Sequence, residues 1–380
     1  MISWLLNIGL VLLFSIYFSG YIISKISEIA FRKKLFDEID ERKIHKSLVP
    51  RLGGIAFKPV MFFTLSFVVG YNLAIGNEEF VSFFSKEAET LAFVFCAVMI
   101  IYVVGVCDDL IGINYQAKFL AQVLCGILLI TGGLYINDFY GLFGVHSLIN
   151  WFSYPLTIFL VVFIINAINL IDGIDGLASG LSTIALMHMG ISFFYFQEYA
   201  ASIIAFCLMG VLIPFFYYNV FGTSAKRTKI FMGDTGSMTV GMLLCALSLK
   251  LALVAPTFQG PVPNPLILAF SPLIIPGFDV VRVYLGRMVR GVNPFLPDKT
   301  HIHHKMMQMG MKQNTVMVIL IIASILISLT NIILSFYLQI SILLIGDAIL
   351  WIIMNTWMNR KVKQVNGMAS SMIKKKHTYN

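Results

Sequence analysis

The chain has 380 residues, of which 58% are hydrophobic and only 12% are charged, whereas an ordinary soluble domain has about 25% charged residues. Its mean hydropathy of +0.85 therefore excludes a soluble globular protein and indicates a polytopic membrane protein. The formal net charge of +8 could suggest nucleic-acid binding, but the Lys and Arg residues follow the loops between apolar segments. We expect no nucleic-acid partner.

Eleven apolar segments are long enough, at about 17 to 25 residues each, to cross a bilayer as helices. The first is too long for the apolar core of a signal peptide and has no basic segment before it, so we expect a retained helix. The sequence therefore predicts an all-α polytopic membrane protein of about eleven transmembrane helices. They are predicted at residues 3–24, 55–75, 89–106, 118–133, 154–170, 178–196, 201–221, 236–254, 266–285, 314–337 and 339–358.

Basic residues are distributed very unevenly among the predicted loops. All of the 27 Lys and Arg residues except Lys86 and Lys250 fall on one side of the predicted membrane. Because cytoplasmic loops carry the excess of Lys and Arg, this pattern predicts an external N-terminus and a cytoplasmic C-terminus. We expect one membrane domain at residues 1–358, with polar loops in the cytoplasm, and a basic tail at residues 359–380 in solvent or against anionic head groups. The five cysteines have no disulfide or metal-site spacing.

The first inner loop is basic and ends in two glycines. It contains Arg42, His45 and Arg51, and Gly53 and Gly54 follow at the start of a helix. Such a loop can place cations and backbone N–H groups around phosphate oxygens. A topology determinant followed by a loop-to-helix turn explains the same residues nearly as well, so Arg42 and His45 are candidate substrate-binding residues only.

Two adjacent acids, Asp108 and Asp109, follow the third predicted span, and Lys118 comes shortly afterwards across a turn. Adjacent carboxylates repel each other, which raises one pKa unless a metal ion or a lysine compensates. Carboxylates at membrane depth are also costly and usually serve a function. The pair indicates a cation-binding or catalytic site, although a solvated helix end explains two acids considered alone.

The most specific stretch runs from Asn166 to Gly176 and carries Asn169, Asp172 and Asp175 at three-residue spacing. Neighbouring pairs at this spacing share a helix face, and the glycines after the acids let the backbone approach a ligand. Hydrogen bonding between helices by the asparagines is the alternative explanation. We favour a polar site at the end of this span.

A further acid, Asp234, begins the span that follows a basic run. The run contains Lys226, Arg227 and Lys229, and Asn219 precedes it. Basic side chains can screen the phosphates of a nucleotide, and Asp234 offers a hard oxygen ligand. Since Mg²⁺ takes one or two carboxylates and keeps waters or substrate phosphates, this region predicts a magnesium-nucleotide site.

The last inner loop contains Arg290 and three histidines in four residues, His301, His303 and His304. The histidines could bind zinc, but the spacing of a metalloprotease is absent and no cysteine lies nearby in the sequence to complete a tetrahedral site. Imidazoles among lysines are better explained as donors to phosphate oxygens.

Two other groups of polar residues have simpler explanations. Asp279 and Arg282 stand three residues apart on one helix face, which a local ion pair explains. Asp347 lies inside the last predicted span, where helix packing is favoured over a proton relay.

In these motifs and their order, the chain resembles the polyprenyl-phosphate N-acetylhexosamine-1-phosphate transferases, membrane enzymes that begin bacterial cell-surface glycan synthesis. The resemblance runs from about Asp37 to Met311. Near Asp40 the chain departs from the common family pattern Asp-x-Pro-Asn-x-Arg-Lys, which weakens any role for that residue. The matching positions are Asp108, Asp109, Lys118, Asn169, Asp172, Asp175, Asn219, Asp234, His301, His303 and His304.

The resemblance implies transfer of a UDP-activated N-acetylhexosamine 1-phosphate to undecaprenyl phosphate, with release of UMP. The His-Ile-His-His loop looks like that of the branch that uses UDP-GlcNAc or related donors, and phospho-MurNAc-pentapeptide transfer is the alternative. The implied cofactor is Mg²⁺, with Mn²⁺ as a substitute. The implied partners are UDP-N-acetylhexosamine, undecaprenyl phosphate and the lipids of a bacterial cytoplasmic membrane, and a homodimer is left open.

The same resemblance implies a role for each polar motif. Asp234, with Asn169, would hold the metal, and either Asp108 or Asp109 would act near the attacking lipid phosphate. Direct attack and a covalent phospho-aspartate route both stay open. The other implied catalytic residues are Asp172, Asp175, His303 and His304, and the implied substrate-binding residues are Lys118, Asn219, Arg290, His301, Arg42 and His45.

A cation-coupled transporter is the alternative of a different class, because acids at membrane boundaries also mark ion paths. Transporters place their sites near the midplane, often in broken helices of paired repeats. The polar motifs here are predicted to gather on one side of the membrane, which favours the enzyme.

Overall fold

The computed structural model describes residues 2–35, 49–291 and 300–378, with side chains described as far as residue 365. Short 3-10 turns precede α2, follow α9 and separate α10 from α11. The helices and strands are α1 (Ile2–Lys33), α2 (Phe57–Ala74), α3 (Glu78–Lys86), α4 (Ala88–Ile111), α5 (Tyr115–Thr131), β1 (Asp138–Leu142), β2 (Val145–Ser147), α6 (Asn150–Ile171), α7 (Leu177–Tyr195), α8 (Tyr199–Phe221), α9 (Gly233–Val254), α10 (Pro265–Phe270), α11 (Ile274–Val289), α12 (Ile302–Gln308), α13 (Gln313–Leu334) and α14 (Ile340–Thr378).

Ten helical segments within the described residues are long and apolar enough to cross a membrane, which confirms a polytopic, predominantly α-helical membrane protein. The fourth of the eleven predicted spans is α5, which is apolar but has only 17 residues. At 1.5 Å per residue it is about 25 Å long, shorter than a hydrocarbon core of about 30 Å. The predicted eleven spans are therefore ten full-length spans and one shorter helix.

Two predicted helix boundaries differ from the structure. The span predicted at residues 266–285 is interrupted between α10 and α11 by a 3-10 turn that contains Pro272. Proline lacks the N–H that a continuous helix needs and its ring clashes with the preceding turn. The last helix does not end at residue 358, because α14 continues through the basic segment to Thr378.

A small antiparallel hairpin lies before α6, in a loop where no strand was predicted. Asp138 pairs with Ser147, and Leu142 pairs with Val145. The hydroxyl of Tyr140 donates to the carbonyl of Ala252 at 3.1 Å. The hairpin is thereby attached to the C-terminal end of α9.

Helix α9 is the centre of the bundle. Nearly all of its residues are buried, and it packs against α4, α6, α7 and α10. Asp234 lies in its first turn, and Lys250 follows sixteen residues later, about 24 Å along the axis. The two residues therefore mark opposite ends of the bundle, named here the Asp234 end and the Lys250 end.

The Lys250 end is closed by ion pairs and aromatic rings. The Nζ of Lys250 lies 2.8 Å from a carboxylate oxygen of Glu87 and 3.6 Å from one of Glu198. The buried indole of Trp4 is surrounded by three aromatic rings and donates to Glu79 at 3.0 Å. These contacts join the first turns of α1 and α3 and the residues directly before α4 and α8 to the C-terminal part of α9.

Candidate active site

At the Asp234 end, one lysine joins acids from two distant helices. Lys118, in the first turn of α5, places its Nζ 2.7 Å from Asp108 Oδ2 and 2.6 Å from Asp234 Oδ2. Asp108 lies in the last turn of α4, and its Oδ1 accepts the N–H of Ile113 at 2.8 Å. The three charged side chains are 16 to 25% exposed. A partly buried cluster of charges therefore forms where α4, α5 and α9 meet.

Asp109 faces the backbone at the start of α9. Its Oδ1 accepts the N–H of Asp234 at 2.8 Å, and its Oδ2 accepts the N–H and the hydroxyl of Thr235 at 2.9 and 2.6 Å. The first N–H groups of a helix have no intrahelical partners and attract negative charge. Asp109 thus caps α9 from a different helix and holds Asp234 in position.

The residues around Asp234 form a donor set that fits a hard cation. Among the described residues, Asp108, Asp109 and Asp234 offer oxygen atoms that all lie within 4.8 Å of one another. Asn169 donates to the hydroxyl of Ser237 at 2.8 Å and lies close enough to the Asp234 carboxylate to interact with it. Carboxylate and amide oxygens are the donors that Mg²⁺ prefers. Since Asp109 is engaged in capping, Asp234, Asp108 and Asn169 are the better candidate ligands.

Asp172 lies in the turn between α6 and α7, beside the same cluster. Burial raises the pKa of this carboxyl well above its ordinary value, the positive charge of Arg51 opposes the rise, and the negative charges of Asp234, Asp175 and Asp109 add to it. The charged groups that act on the Asp172 carboxyl therefore come from the loop of Arg51, from α4, from α9 and from its own turn. The structure brings the motif of α6 together with the acids of α4 and α9.

Asp175 and Asn219 are bonded within the protein. Asp175 Oδ2 lies 2.6 Å from the Nζ of Lys229, and both side chains are 12% exposed. The Oδ1 of Asn219 accepts the N–H of Gly176 at 2.6 Å, and its Nδ2 donates to the carbonyl of Ile230 at 2.8 Å. Asn219 therefore ties the turn after α6 to the segment before α9.

The segment that carries His301, His303 and His304, named here the histidine loop, packs on the turn that carries Asp172. His303 is 1% exposed, and neither ring nitrogen has a hydrogen-bond partner among the described residues. A Cβ placed on Gly173 would lie 2.2 Å from the Nε2 of His303, so glycine is needed for this close approach. Burial lowers the pKa of His303 to about 3, with the charges of His304 and His301 adding to the effect. His303 is consequently a neutral imidazole beside the acids.

The two glycines of the first inner loop do not form a phosphate cradle, which corrects that interpretation of the sequence. The N–H groups of Gly53 and Gly54 donate to the carbonyls of Phe231 and Met232 at 3.0 and 2.9 Å. A Cβ on Gly54 would lie 2.1 Å from the backbone nitrogen of Gly236. The glycines instead allow this loop to pack against the start of α9.

The remaining predicted substrate-binding residues lie at different depths. His301 is buried, whereas Arg290 is exposed at the end of α11 and its Nε donates to the carbonyl of Gly286 at 2.9 Å. Arg42 and His45 lie outside the residues that the structure describes.

Two contacts of Asp279 were not predicted from the sequence. The predicted pair with Arg282 is present at 2.6 Å, but the carboxylate also reaches Nδ1 of His301 at 2.8 Å and the N–H of Ile302 at 3.0 Å. The only sign in the sequence that Asp279 makes these further contacts was its position inside an apolar span. For Asp347 the simpler explanation agrees with the structure, because Asn331 donates to it at 2.7 Å.

An apolar cavity of about 420 Å³ lies within the helix bundle. It is lined mainly by hydrophobic side chains of α6, α10 and α11, with contributions from β1, α13 and α14. On α6 the lining includes Ala167 and Ile168, the residues directly before Asn169. The cavity therefore extends along α6 from the hairpin to the turn of helix that precedes Asn169.

Comparison with known proteins gives related sequences along most of the chain. The pattern of glycosyl transferase family 4 matches residues 91–252. The undecaprenyl-phosphate α-N-acetylglucosaminyl 1-phosphate transferase of Yersinia pestis is 30% identical over 332 residues, which cover 87% of this chain and 85% of that protein. The enzyme of the same name from Escherichia coli strain K12 is 29% identical over 304 residues, 79% of this chain and 77% of that protein. A probable undecaprenyl-phosphate N-acetylglucosaminyl 1-phosphate transferase of Bacillus subtilis strain 168 is 30% identical over 310 residues, 81% of this chain and 80% of that protein.

Proposed function

Because the chain belongs to glycosyl transferase family 4, together with the bacterial undecaprenyl-phosphate N-acetylglucosaminyl 1-phosphate transferases, we propose that it transfers N-acetylglucosamine 1-phosphate from UDP-GlcNAc to undecaprenyl phosphate. An oxygen of the lipid phosphate attacks the β-phosphorus of the donor, the bond from that phosphorus to the bridging oxygen breaks, and UMP leaves. The product is undecaprenyl-pyrophosphoryl-GlcNAc, the start of a cell-surface polysaccharide. One phosphoanhydride replaces another, so the protein needs to supply positioning and charge neutralisation.

The observation that carries this proposal is the meeting of Asp108 and Asp234 at one lysine ammonium, at 2.7 and 2.6 Å, beside Asn169. Two phosphate-bearing substrates bring several negative charges together, and a site for them needs cations held by fixed acids. We propose that Asp234, Asn169 and Asp108 hold Mg²⁺, or Mn²⁺ in its place. When bound, the ion would neutralise charge on the pyrophosphate of the donor.

We propose a division of work between the two neighbouring acids of α4. Asp108 contacts Lys118, and both side chains are partly exposed, so they are placed to act on the lipid phosphate. Asp109 accepts three hydrogen bonds from residues 234 and 235 and so supports the site by holding the start of α9. The lipid phosphate is already an anion at neutral pH, which makes a general base less necessary than for an alcohol nucleophile.

The turn after α6 and the histidine loop would contact the donor. Asp172 and Asp175 lie in that turn, and Asn219 fixes its backbone. His303 is buried and neutral and has a ring N–H that no described residue accepts, so it can donate to a phosphate oxygen and stabilise developing charge. His301, His304, Arg290, Arg42 and His45 are proposed to assist in binding phosphate groups.

The apolar cavity is the proposed place of the isoprenoid chain. Its lining is almost wholly hydrophobic and includes Ile168, the residue before Asn169 in the sequence. A lipid whose tail occupies this cavity would present its phosphate to the acids of α4. Burial of apolar chain surface contributes binding energy of about 25 cal/mol per Å².

We propose that the Asp234 end faces the cytoplasm of a bacterium, where UDP-sugars are made. The support is the distribution of Lys and Arg, which fall on that side apart from Lys86 and Lys250. In this arrangement residues 1–358 form one catalytic domain in the cytoplasmic membrane and residues 359–380 form a cytoplasmic basic segment. Labelling of single cysteines at the two ends by an impermeant maleimide tests the orientation, and label reaching the Asp234 end from outside would contradict it.

The activity is tested by UMP release from purified protein supplied with undecaprenyl phosphate and a panel of UDP-sugars, with and without Mg²⁺. We expect release from UDP-GlcNAc that requires both the lipid and the ion. Preference for UDP-MurNAc-pentapeptide would select the phospho-MurNAc alternative, and uptake of a cation into vesicles without UMP release would select the transporter.

A further inference from the structure

Asp279 is a buried carboxylate that the proposed chemistry does not use. It lies in α11, is 1% exposed, and receives hydrogen bonds from three different groups. The Nε and Nη2 of Arg282 donate to its Oδ1 at 3.2 and 2.6 Å, and the N–H of Ile302 donates to the same oxygen at 3.0 Å. Its Oδ2 lies 2.8 Å from Nδ1 of His301.

These contacts hold a short segment of backbone from one side. Arg282 also donates to the carbonyl of Thr300, so two side chains of α11 bind three consecutive residues, 300 to 302. An ion pair between residues three apart on one helix needs no burial, and burying a charged group costs free energy unless it is paired and hydrogen-bonded. The burial of Asp279 is therefore explained by its hydrogen bonds with residues 301 and 302.

Residues 300 to 302, which Asp279 and Arg282 hold, lead directly into α12 and to His303 of the histidine loop. Helix α12 has only seven residues, and helices of that length are not stable by themselves in water. Its first N–H, that of Ile302, is the one that Asp279 accepts. One residue later, His303 lies against Gly173. The position of His303 over the turn of Asp172 thus depends on an anchor in α11.

We propose that Asp279 is a positioning residue that holds the histidine loop against the donor-binding turn, acting through His301 and the start of α12. The proposal rests on the proposed function for its catalytic consequence, while the anchoring itself does not. Asp279 touches no substrate in this scheme. It fixes the place of His303 and the proton arrangement of His301.

The carboxylate also selects one tautomer of His301. An ionised carboxylate only accepts hydrogen bonds, so when His301 is neutral its proton lies on Nδ1, the nitrogen that contacts Asp279. An asparagine at position 279 keeps an oxygen for the N–H of Ile302 but presents N–H groups to Nδ1. The imidazole would then carry its proton on Nε2, an inversion that abolishes much of the activity of enzymes with an Asp-His pair.

Asp279→Asn therefore keeps an acceptor for the N–H of Ile302, which anchors the start of α12, but changes the tautomer of His301. We expect kcat for UMP release from UDP-GlcNAc to fall at least about tenfold, with little change in KM and in the unfolding temperature. The loss falls on kcat because a charge-stabilising imidazole acts on the transition state more than on bound substrate. The matched control is Glu198→Gln, which neutralises a carboxylate at the Lys250 end and should leave kcat unchanged.

A double-mutant cycle tests whether the effect passes through His301. If it does, Asp279→Asn should cause no further loss in a His301→Ala background, since interacting residues are not additive. An equal loss in both backgrounds, or a kcat of Asp279→Asn within about twofold of the parent, would overturn the positioning role.

The anchor has a readout that needs no activity. Ile302 is completely buried, so the thiol introduced by Ile302→Cys should resist maleimide in a Cys96→Ser, Cys107→Ser background, which lacks the two accessible native thiols. Adding Asp279→Ala, which removes every acceptor, should make the cysteine react. Continued protection would overturn the anchor. If the parent protein released no UMP from any donor, the proposed function would fail while this labelling still decided the anchor.

Discussion

The two ends of the bundle contain the same small arrangement of charges, a lysine between two carboxylates. At the Asp234 end, Lys118 lies 2.7 and 2.6 Å from Asp108 and Asp234. At the other end, Lys250 lies 2.8 and 3.6 Å from Glu87 and Glu198. The lysine side chains are similarly buried, at 24% and 18% exposure. Local geometry and depth therefore do not distinguish the two ends.

What differs is the surroundings of each arrangement. At the Lys250 end the neighbours are aromatic rings packed around Trp4. Around Asp234 there are further acids and an imidazole without a partner among the described residues, and an apolar cavity reaches the last turn of α6 before Asn169. A buried ion pair is weak evidence of function, and an excess of acids beside an unpartnered donor and a cavity is stronger evidence.

The sharpest contrast should come from neutralising one acid at each end. Asp234→Asn removes the central charge of the proposed metal site and should lower kcat about 10²- to 10³-fold, since losing one group that stabilises developing charge has effects of that size. Glu198→Gln, the equivalent change at the Lys250 end, should keep nearly full activity. Initial rates of UMP release measure both. Equal losses in the two variants would mean that the ends do not differ in function.

A second contrast uses glycines instead of charges. In Gly173→Ala the new methyl would overlap the imidazole of His303 and displace it, and a misplacement of about 1 Å can cost about 10²-fold in rate. Gly286→Ala, in α11 near the same end, adds a methyl with nothing within 4 Å and should be silent. Both variants should unfold at temperatures near that of the parent. Wild-type kcat in Gly173→Ala would show that His303 does not need its present position.

The pH dependence of stability provides a smaller effect. The pKa of His303 is about 3 in the folded protein and about 6.5 in an unfolded chain. Between these values the unfolded state binds more protons, so stability contributed by the neutral, buried imidazole is present above pH 6.5 and is lost as the pH falls towards 3.

His303→Gln should therefore show a smaller drop in unfolding temperature between pH 7.5 and 5 than the parent shows, as scanning fluorimetry in detergent would record. His146→Gln, on the exposed hairpin, serves as the control and should follow the parent. Parallel curves for His303→Gln and the parent would place His303 in a more solvated environment than the structure does.

The smallest effect on turnover is expected at the Lys250 end. Lys250→Met leaves Glu87 and Glu198 without their partner, which should lower stability by about 1 to 3 kcal/mol with kcat retained. Chemical unfolding and UMP release on the same preparation separate the two quantities. A variant that keeps its stability but loses turnover would reverse the roles assigned to the two ends.

The membrane segments could be predicted from sequence because hydropathy and length decide them almost alone. Exceptions have local causes: Pro272 divides one span, and α5 is shorter than the others. The acids that meet at Lys118 were also recognisable, because each stands at the end of an apolar segment. Their mutual distances were not, since Lys118 and Asp234 are 116 residues apart and meet only through the packing of α5 against its neighbours.

Residues that support other residues were the hardest to predict. Asp109 and its neighbour Asp108 are indistinguishable in the sequence, yet one caps α9 and the other binds Lys118. Asp279 was explained by its nearest cation, Arg282, and its bond to His301 depends on how the loop returns to α11. Both carboxylates also accept a backbone N–H at the start of a distant helix, a contact that carries no sequence signature.

Phosphoryl transfer at the Asp234 end is the step to which all the proposed residue roles contribute. UDP-GlcNAc with a radiolabelled β-phosphorus, incubated with the purified protein, Mg²⁺ and undecaprenyl phosphate, tests it directly. We predict that the label moves into the lipid fraction in a one-to-one ratio with UMP, and that Asp234→Asn slows the transfer about 10²- to 10³-fold. Label that stays in released UDP while sugar enters the lipid, or transfer that continues undiminished in Asp234→Asn, would contradict the account.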